Sequence, residues 1–197
     1  MVSFASRVKH ELRQATRMPP HCRRAAAAAR RIYSAAPGKP YQRYEPKKDC
    51  CIRAYLRGAF MAAGTVSDPA KSYHFEISCP NEEEAVYLVS LLERCGVSPG
   101  WTERKGQPVI YVKEGGQIRD LLTMMGAPVA MMNFENARIL HGMRGDVNRR
   151  VNCETSNINK AVAAGLKQVR AIRRLQEAGE LEGLSESLLD TAQARLQ

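Results

Sequence analysis

The sequence predicts an α+β domain built on one half-buried sheet, followed by a helical C-terminal region. Between Asp49 and Gly126, segments of helical period closed by glycines alternate with short segments of period two. After Ala127 only helical periods remain. A composition of 44% hydrophobic residues over 197 positions supplies a core for one good domain or two small ones.

Residues 1–17 read as a basic amphipathic helix with Phe4, Val8 and Leu12 on one stripe. Three apolar positions make a thin face for a membrane, so packing against the domain is expected. Pro19-Pro20 ends this helix. Residues 21–33 are Ala- and Arg-rich and helical, and Ala25–Ala29 is the one low-complexity run. Pro37-Gly38-Lys39-Pro40 breaks the chain, and residues 41–48 form a basic linker. Asp49 is placed to cap a helix through Leu56, Phe60 and Ala63 that ends near Gly64. Ser67-Asp68-Pro69 is a turn, and residues 73–79 alternate as a strand. A further strand is expected around residues 64–70. Pro80-Asn81 opens a helix through Ala85, Leu88, Leu91 and Leu92, closed by Gly96. Residues 101–104 and 109–113 form a hairpin around Lys105-Gly106-Gln107-Pro108, and residues 118–125 a helix closed by Gly126. Residues 135–149 are expected as one helix, interrupted by Asn152-Cys153-Glu154-Thr155. Residues 156–177 resume it with Ile158, Ala161, Gly165, Val169 and Ile172 inward, and Gly179 ends it. Ser185 caps a last helix with Leu188, Leu189, Ala192 and Leu196 to bury.

The net charge of +10 and the pI near 9.6 point to a polyanionic partner, nucleic acid first, with a solvated basic surface as the alternative. Between Arg7 and Lys48 only Glu11 and Glu45 oppose twelve lysines and arginines. A second basic group runs from Arg138 to Arg174. No segment reaches the roughly 18 apolar residues of a membrane span, and the N-terminus lacks the apolar core of a signal peptide. A cytoplasmic, nucleoid-associated chain with no membrane partner is therefore expected, its six cysteines reduced. Those cysteines show no C-x-x-C pair. Cys50-Cys51 reads as small-residue packing at the start of a helix, with a redox pair or partial metal site as the alternative. His10, His21, His74 and His141 are scattered without partners at ligand spacing, so no metal and no cofactor are expected.

The stretch Leu56-Arg57-Gly58-Ala59-Phe60-Met61-Ala62-Ala63-Gly64 resembles the motif helix of LAGLIDADG homing endonucleases. Such enzymes carry a metal-binding acid just before the final glycine. Ala63 stands there in this chain and offers no oxygen ligand. Asp68, the nearest carboxylate, suits a turn. Longer strings narrow the resemblance. Cys50 through Phe60, followed by Gly64-Thr65-Val66-Ser67-Asp68-Pro69 and Tyr73-His74-Phe75-Glu76, resemble the WhiA family. So do Asp146 through Thr155, Asn157-Ile158-Asn159-Lys160, and the opening Ser3 through Leu12.

This resemblance implies a bacterial transcription regulator of sporulation and cell division. It also implies a degenerate two-motif LAGLIDADG domain ahead of a C-terminal helix-turn-helix, of which this chain is expected to keep a homing-endonuclease-like half domain. Residues 22–46 look too short for the first LAGLIDADG half, and most of the helix-turn-helix looks missing. The expected organisation is a basic helix and remnant over 1–46 and a LAGLIDADG-like domain over 47–150. A linker helix over 151–180 and the start of a helix-turn-helix over 181–197 follow.

No catalytic residue is expected. Double-stranded DNA is the expected partner, contacted by Arg104, Lys105 and Lys113 beside the hairpin, and by Arg144, Arg149, Arg150 and Lys160 in the helical region. The competing reading leaves the hairpin solvated and gives Asn152, Ser156 and Asn157 only capping roles. Ala54, Gly58 and Ala62 recur every four residues and invite self-association through the motif helix, unless residues 21–33 fold back over it. Other transcription regulators are further candidate partners. The alternatives are a protein-interaction module without DNA binding, or an active endonuclease, which Ala63 opposes.

Overall fold

The computed structural model describes residues 2–14, 17–35 and 41–196. Pro37-Gly38-Lys39-Pro40 therefore lies outside the described residues. The chain divides into two compact units, Met1–His141 and Gly142–Gln197.

The first unit opens with α1 (Phe4–Gln14), whose Phe4, Val8 and Leu12 are all buried, as their spacing predicts. Pro20 sits at the first position of α2 (Pro20–Tyr33), where a missing N–H costs nothing. The motif helix is α3 (Asp49–Ala63). Lys48 occupies its cap position and makes no side-chain cap bond, so the expectation of an Asp49 cap is corrected. Asp49 instead places its charge in the first turn, where the helix dipole favours it.

Next come β1 (Gly64–Val66) and β2 (Phe75–Ser78), then α4 (Glu82–Arg94). Asn81 caps α4 by accepting from the Glu84 N–H at 2.9 Å. Strands β3 (Gly100–Arg104) and β4 (Gln107–Val112) are joined by Lys105-Gly106 alone. Both residues have positive φ, 53° and 74°, as a tight type I′ hairpin requires. Helix α5 (Gly115–Met125) begins with Glu114 accepting from the N–H groups of Gly116 and Gln117, and stops at Gly126 with φ 89°.

The sheet is antiparallel, in the order β1-β2-β4-β3. One face carries Val66, Phe75, Ile77, Ile110 and Val112, all buried. They join one core with Tyr55, Leu56 and Phe60 of α3, Leu88 and Leu92 of α4, and Leu121 and Leu122 of α5. Phe60 stacks on Phe75 with ring centroids 5.1 Å apart. The other face presents Thr65, Glu76, Thr102, Arg104 and Tyr111, exposed or half-buried.

The small face of α3 is not open. Ala54 and Gly58 are buried, and a Cβ at Gly58 would lie 2.2 Å from the Ala26 carbonyl oxygen of α2. The expectation of self-association through Ala54, Gly58 and Ala62 assumed a free surface. Residues 21–33 fold back and occupy it, leaving only Ala62 half-buried.

The final helix of the first unit, α6 (Pro128–Glu177), is 50 residues long. The predicted break at Asn152-Cys153-Glu154-Thr155 does not occur. Asn and Thr cost a helix only about 0.7 kcal/mol each relative to Ala, and no proline enforces a stop. Glu11 of α1 caps the start of α6, accepting from the N–H groups of Val129 at 2.7 Å and Ala130 at 2.8 Å.

In the second unit, the rest of α6 is followed by a 3-10 turn at Leu181–Gly183 and by α7 (Glu186–Leu196). Ala192 is buried and Val169, Ile172 and Leu189 are half-buried. Ile158, predicted inward, is 62% exposed, and Leu188 is exposed as well.

Candidate nucleic-acid interface

Strand alternation gathers one polar cluster on the open face of the sheet. His74, Glu76, Tyr111, Arg104 and Lys113 share the same pleat parity through the Glu76–Tyr111 and Arg104–Gln107 pairs. Arg104 donates to Glu76 Oε1 at 3.0 Å, and His74 Nε2 lies 2.9 Å from Glu76 Oε2. The His74 ring stacks on Tyr111 at 5.8 Å, and Lys113 Nζ sits 4.9 Å from the Tyr111 ring centroid. Lys105 projects from the hairpin tip and is exposed. Of the three cations that the sequence sets on or beside the hairpin, Arg104 and Lys113 stand on this face and Lys105 at the tip. The sequence left open where Glu76 points, and Glu76 takes up part of the Arg104 charge.

The motif helix brings no acid to the sheet. Ala63 is its last residue, and Asp68 spends Oδ1 on the Ala70 N–H at 3.0 Å in an Asx-type turn.

The helical candidates lie on α6 within the second unit. Arg144, Arg149, Arg150 and Lys160 are all exposed. An uninterrupted helix turns roughly 100° per residue. Arg149, Lys160, Lys167 and Arg174 therefore fall on one stripe, since eleven residues make about three turns and seven about two. Arg150 flanks this stripe, whereas Arg144 falls on the opposite side, with the exposed apolar residues Val147, Val151, Ile158 and Val162. Lys167 and Arg174 join the candidate set only because the helix is continuous. Arg149 forms an ion pair with Asp146 one turn earlier. Asn157 donates weakly to Cys153 Sγ at 3.8 Å.

A second gathering contradicts the sequence analysis. His21 is not without partners: it meets Cys22, Cys50 and Cys51, and ligand atoms of all four lie within 4.8 Å of one another. Each pair is adjacent in sequence, and the missing signal was long-range, the docking of α2 on α3. Burial pushes the Cys22 thiol up to about 11. Elsewhere, burial pushes the Cys79 thiol up to about 12.

The order α3-β1-β2-α4-β3-β4-α5, with a polar sheet face and a motif helix lacking its acid, defines a degenerate LAGLIDADG-like domain. Comparison with known proteins agrees. A family profile described as the WhiA LAGLIDADG-like domain matches residues 52–144, and one described as the WhiA C-terminal HTH domain matches residues 147–197. The "Probable cell division protein WhiA" of Lachnospira eligens is 46% identical over 149 residues, covering 76% of this chain and 47% of that protein. The protein of the same name from Heliobacterium modesticaldum is 46% identical over 151 residues, covering 77% and 47%. The chain thus spans about half the length of the curated relatives it matches. The crystal structure of full-length DUF199/WhiA from Thermatoga maritima shares the fold with a TM-score of 0.69 at 20% identity, covering 100% of this chain and 86% of that one. That of the N-terminal LAGLIDADG domain of DUF199/WhiA gives 0.57 at 16% identity, covering 63% and 90%. This chain belongs to the WhiA family.

Proposed function

We propose that this chain is a DNA-binding regulator of transcription in bacterial cell division and sporulation, on a LAGLIDADG-like scaffold that does not cut. The reading rests above all on the match of residues 147–197 to the WhiA C-terminal HTH domain. That segment carries the basic stripe Arg149, Lys160, Lys167 and Arg174. Arginine and lysine neutralise phosphates and fix a protein on the duplex without reading sequence. Arg104, Lys105 and Lys113 add a second set of cations on the sheet, and Arg144 contributes from the other side of α6. The working place of such a chain is the cytoplasm, on the nucleoid.

The proposed binding is salt-sensitive and largely independent of sequence. Non-specific affinities of this kind lie at about 10⁻⁴ to 10⁻⁶ M at physiological salt. Fluorescence anisotropy on a labelled duplex over a salt series tests it. Each phosphate contact contributes about −0.9 to the log–log slope. Replacing Arg149 and Arg150 together by alanine should lower the slope by up to about two contacts. An unchanged slope would mean that neither touches phosphate. Absence of binding at low salt would favour a protein-interaction module instead.

A further inference from the structure

Two helix starts converge on four soft side chains. His21 and Cys22 lie in the first turn of α2, Cys50 and Cys51 in the first turn of α3. Cys50 Sγ is 3.5 Å from His21 Nε2, and Cys22 Sγ is 3.4 Å from the Cys50 carbonyl oxygen, 28 residues away in sequence. Cys22 and Cys51 are buried, His21 is half-buried, and Cys50 is exposed. The cluster therefore has an apolar floor and an opening on the Cys50 side. We propose that His21, Cys22, Cys50 and Cys51 form a binding site for a soft divalent cation, Zn²⁺ above all, which clamps α2 to the motif helix.

Three points of chemistry support the assignment. First, three thiolates and one imidazole are a complete ligand set for a closed, tetrahedral structural zinc site. With Zn–S near about 2.3 Å and Zn–N near about 2.0 Å, the ligand atoms of such a site stand about 3.5–3.8 Å apart. The four groups already lie within 4.8 Å of one another, so a contraction of about 1 Å closes the site. Second, thiolates select soft and borderline cations over Mg²⁺ and Ca²⁺. Third, binding displaces three thiol protons and leaves the filled site with one negative charge in excess. The positive dipole ends of two helices of 14 and 15 residues meet there to balance it. The clamp would hold the start of α2 in register with α3, upstream of the close passage of Gly58 under Ala26.

The test uses the whole chain, purified with a reducing agent, and Co²⁺ as a spectroscopic stand-in for Zn²⁺. One Co²⁺ per chain should bind, with sulfur-to-cobalt charge transfer and the intense visible bands of tetrahedral coordination, and Zn²⁺ should bleach both. Cys50→Ser changes an exposed position and His21→Gln a half-buried one, so both should fold. Each should weaken Co²⁺ binding on the order of 100-fold or more, the upper end of what even supporting residues of metal sites contribute. Cys153→Ser, at an exposed cysteine outside the cluster, should match the wild type. Zn²⁺ should also raise the melting temperature of the wild type and of Cys153→Ser, but not of Cys50→Ser. A weak octahedral spectrum from the reduced wild type would overturn the proposal. So would a tetrahedral spectrum that survives both substitutions, or a reduced chain left metal-free in excess Zn²⁺, as a cluster suited only to disulfide exchange would be.

Discussion

Gly58 and Glu84 show how much single positions carry. A Cβ at Gly58 would meet the carbonyl oxygen of Ala26 at 2.2 Å, and backbone cannot swing aside as a side chain can. Gly58→Ala should cost about 1–3 kcal/mol, as overpacked cores do. Urea denaturation should show a lower midpoint at unchanged slope, and an unchanged midpoint would mean that α2 does not lie on α3. Glu84 is the one buried charged side chain among the described residues. The Tyr55 hydroxyl donates to it at 3.2 Å, and Arg43 Nε lies 3.9 Å away. Burial raises its pKa, although Tyr55 and Arg43 pull it back. The folded state therefore holds this proton more tightly than the unfolded chain does. Its contribution to stability is full below the ordinary glutamate value and is lost as pH rises through the raised one. Glu84→Gln keeps an oxygen for Tyr55 and removes the charge. Melting curves from about pH 4 to about pH 8 should lose the acid-side rise in stability that the wild type shows. A variant curve parallel to the wild type would refute this. At this scale the sequence shows which residues are small, cationic or soft, but not what they meet. Ala26 precedes Gly58 by 32 positions, and no local pattern joins them.

The elements were the most legible part of the chain. Glycines closing helices, Asn81 opening α4, the alternation of β2 and the Lys105-Gly106 turn between β3 and β4 all act within a few residues. Their physics is therefore local. Strand β1 is three residues long, too short to show a period, and exists by pairing Gly64, Thr65 and Val66 with Ile77, Glu76 and Phe75. The asparagines and Thr155 inside α6 favour caps, yet capping needs a chain that leaves the helix, and nothing there forces it to. The start of α6 is set from afar by Glu11. Replacing Glu11 with alanine removes two charge-assisted bonds to the first turn and should cost about 1–2 kcal/mol. Hydrogen exchange at Val129 and Ala130 should quicken, while α5 amides stay slow. Equal rates in variant and wild type would show that the cap contributes nothing. The turn Lys105-Gly106 supplies an independent check. Gly106 has φ 74°, so Gly106→Val should destabilise the hairpin by about 1–2 kcal/mol, read as faster exchange along β3.

For the whole molecule, the family was legible in long motif strings, because such strings carry more information than any single glycine pattern. The chain should not cleave duplex or single-stranded DNA with Mg²⁺. Ala63 ends the motif helix without an oxygen ligand, and Asp68 is engaged in its own turn. Magnesium-dependent scission that survives repurification and is lost with no other change than chelation would defeat this expectation. None of the described helices is long and apolar enough to cross a membrane. Helix α1 is made first and closes the first unit late. Phe4 packs beside Phe134 at 6.3 Å between ring centroids, and Glu11 reaches Val129 and Ala130, 118 and 119 residues further on. At about 5–20 residues per second of synthesis, α1 waits roughly 6–24 s between leaving the ribosome and meeting the helix it caps. For that interval its apolar stripe is a client for whatever nascent-chain chaperone the cell supplies.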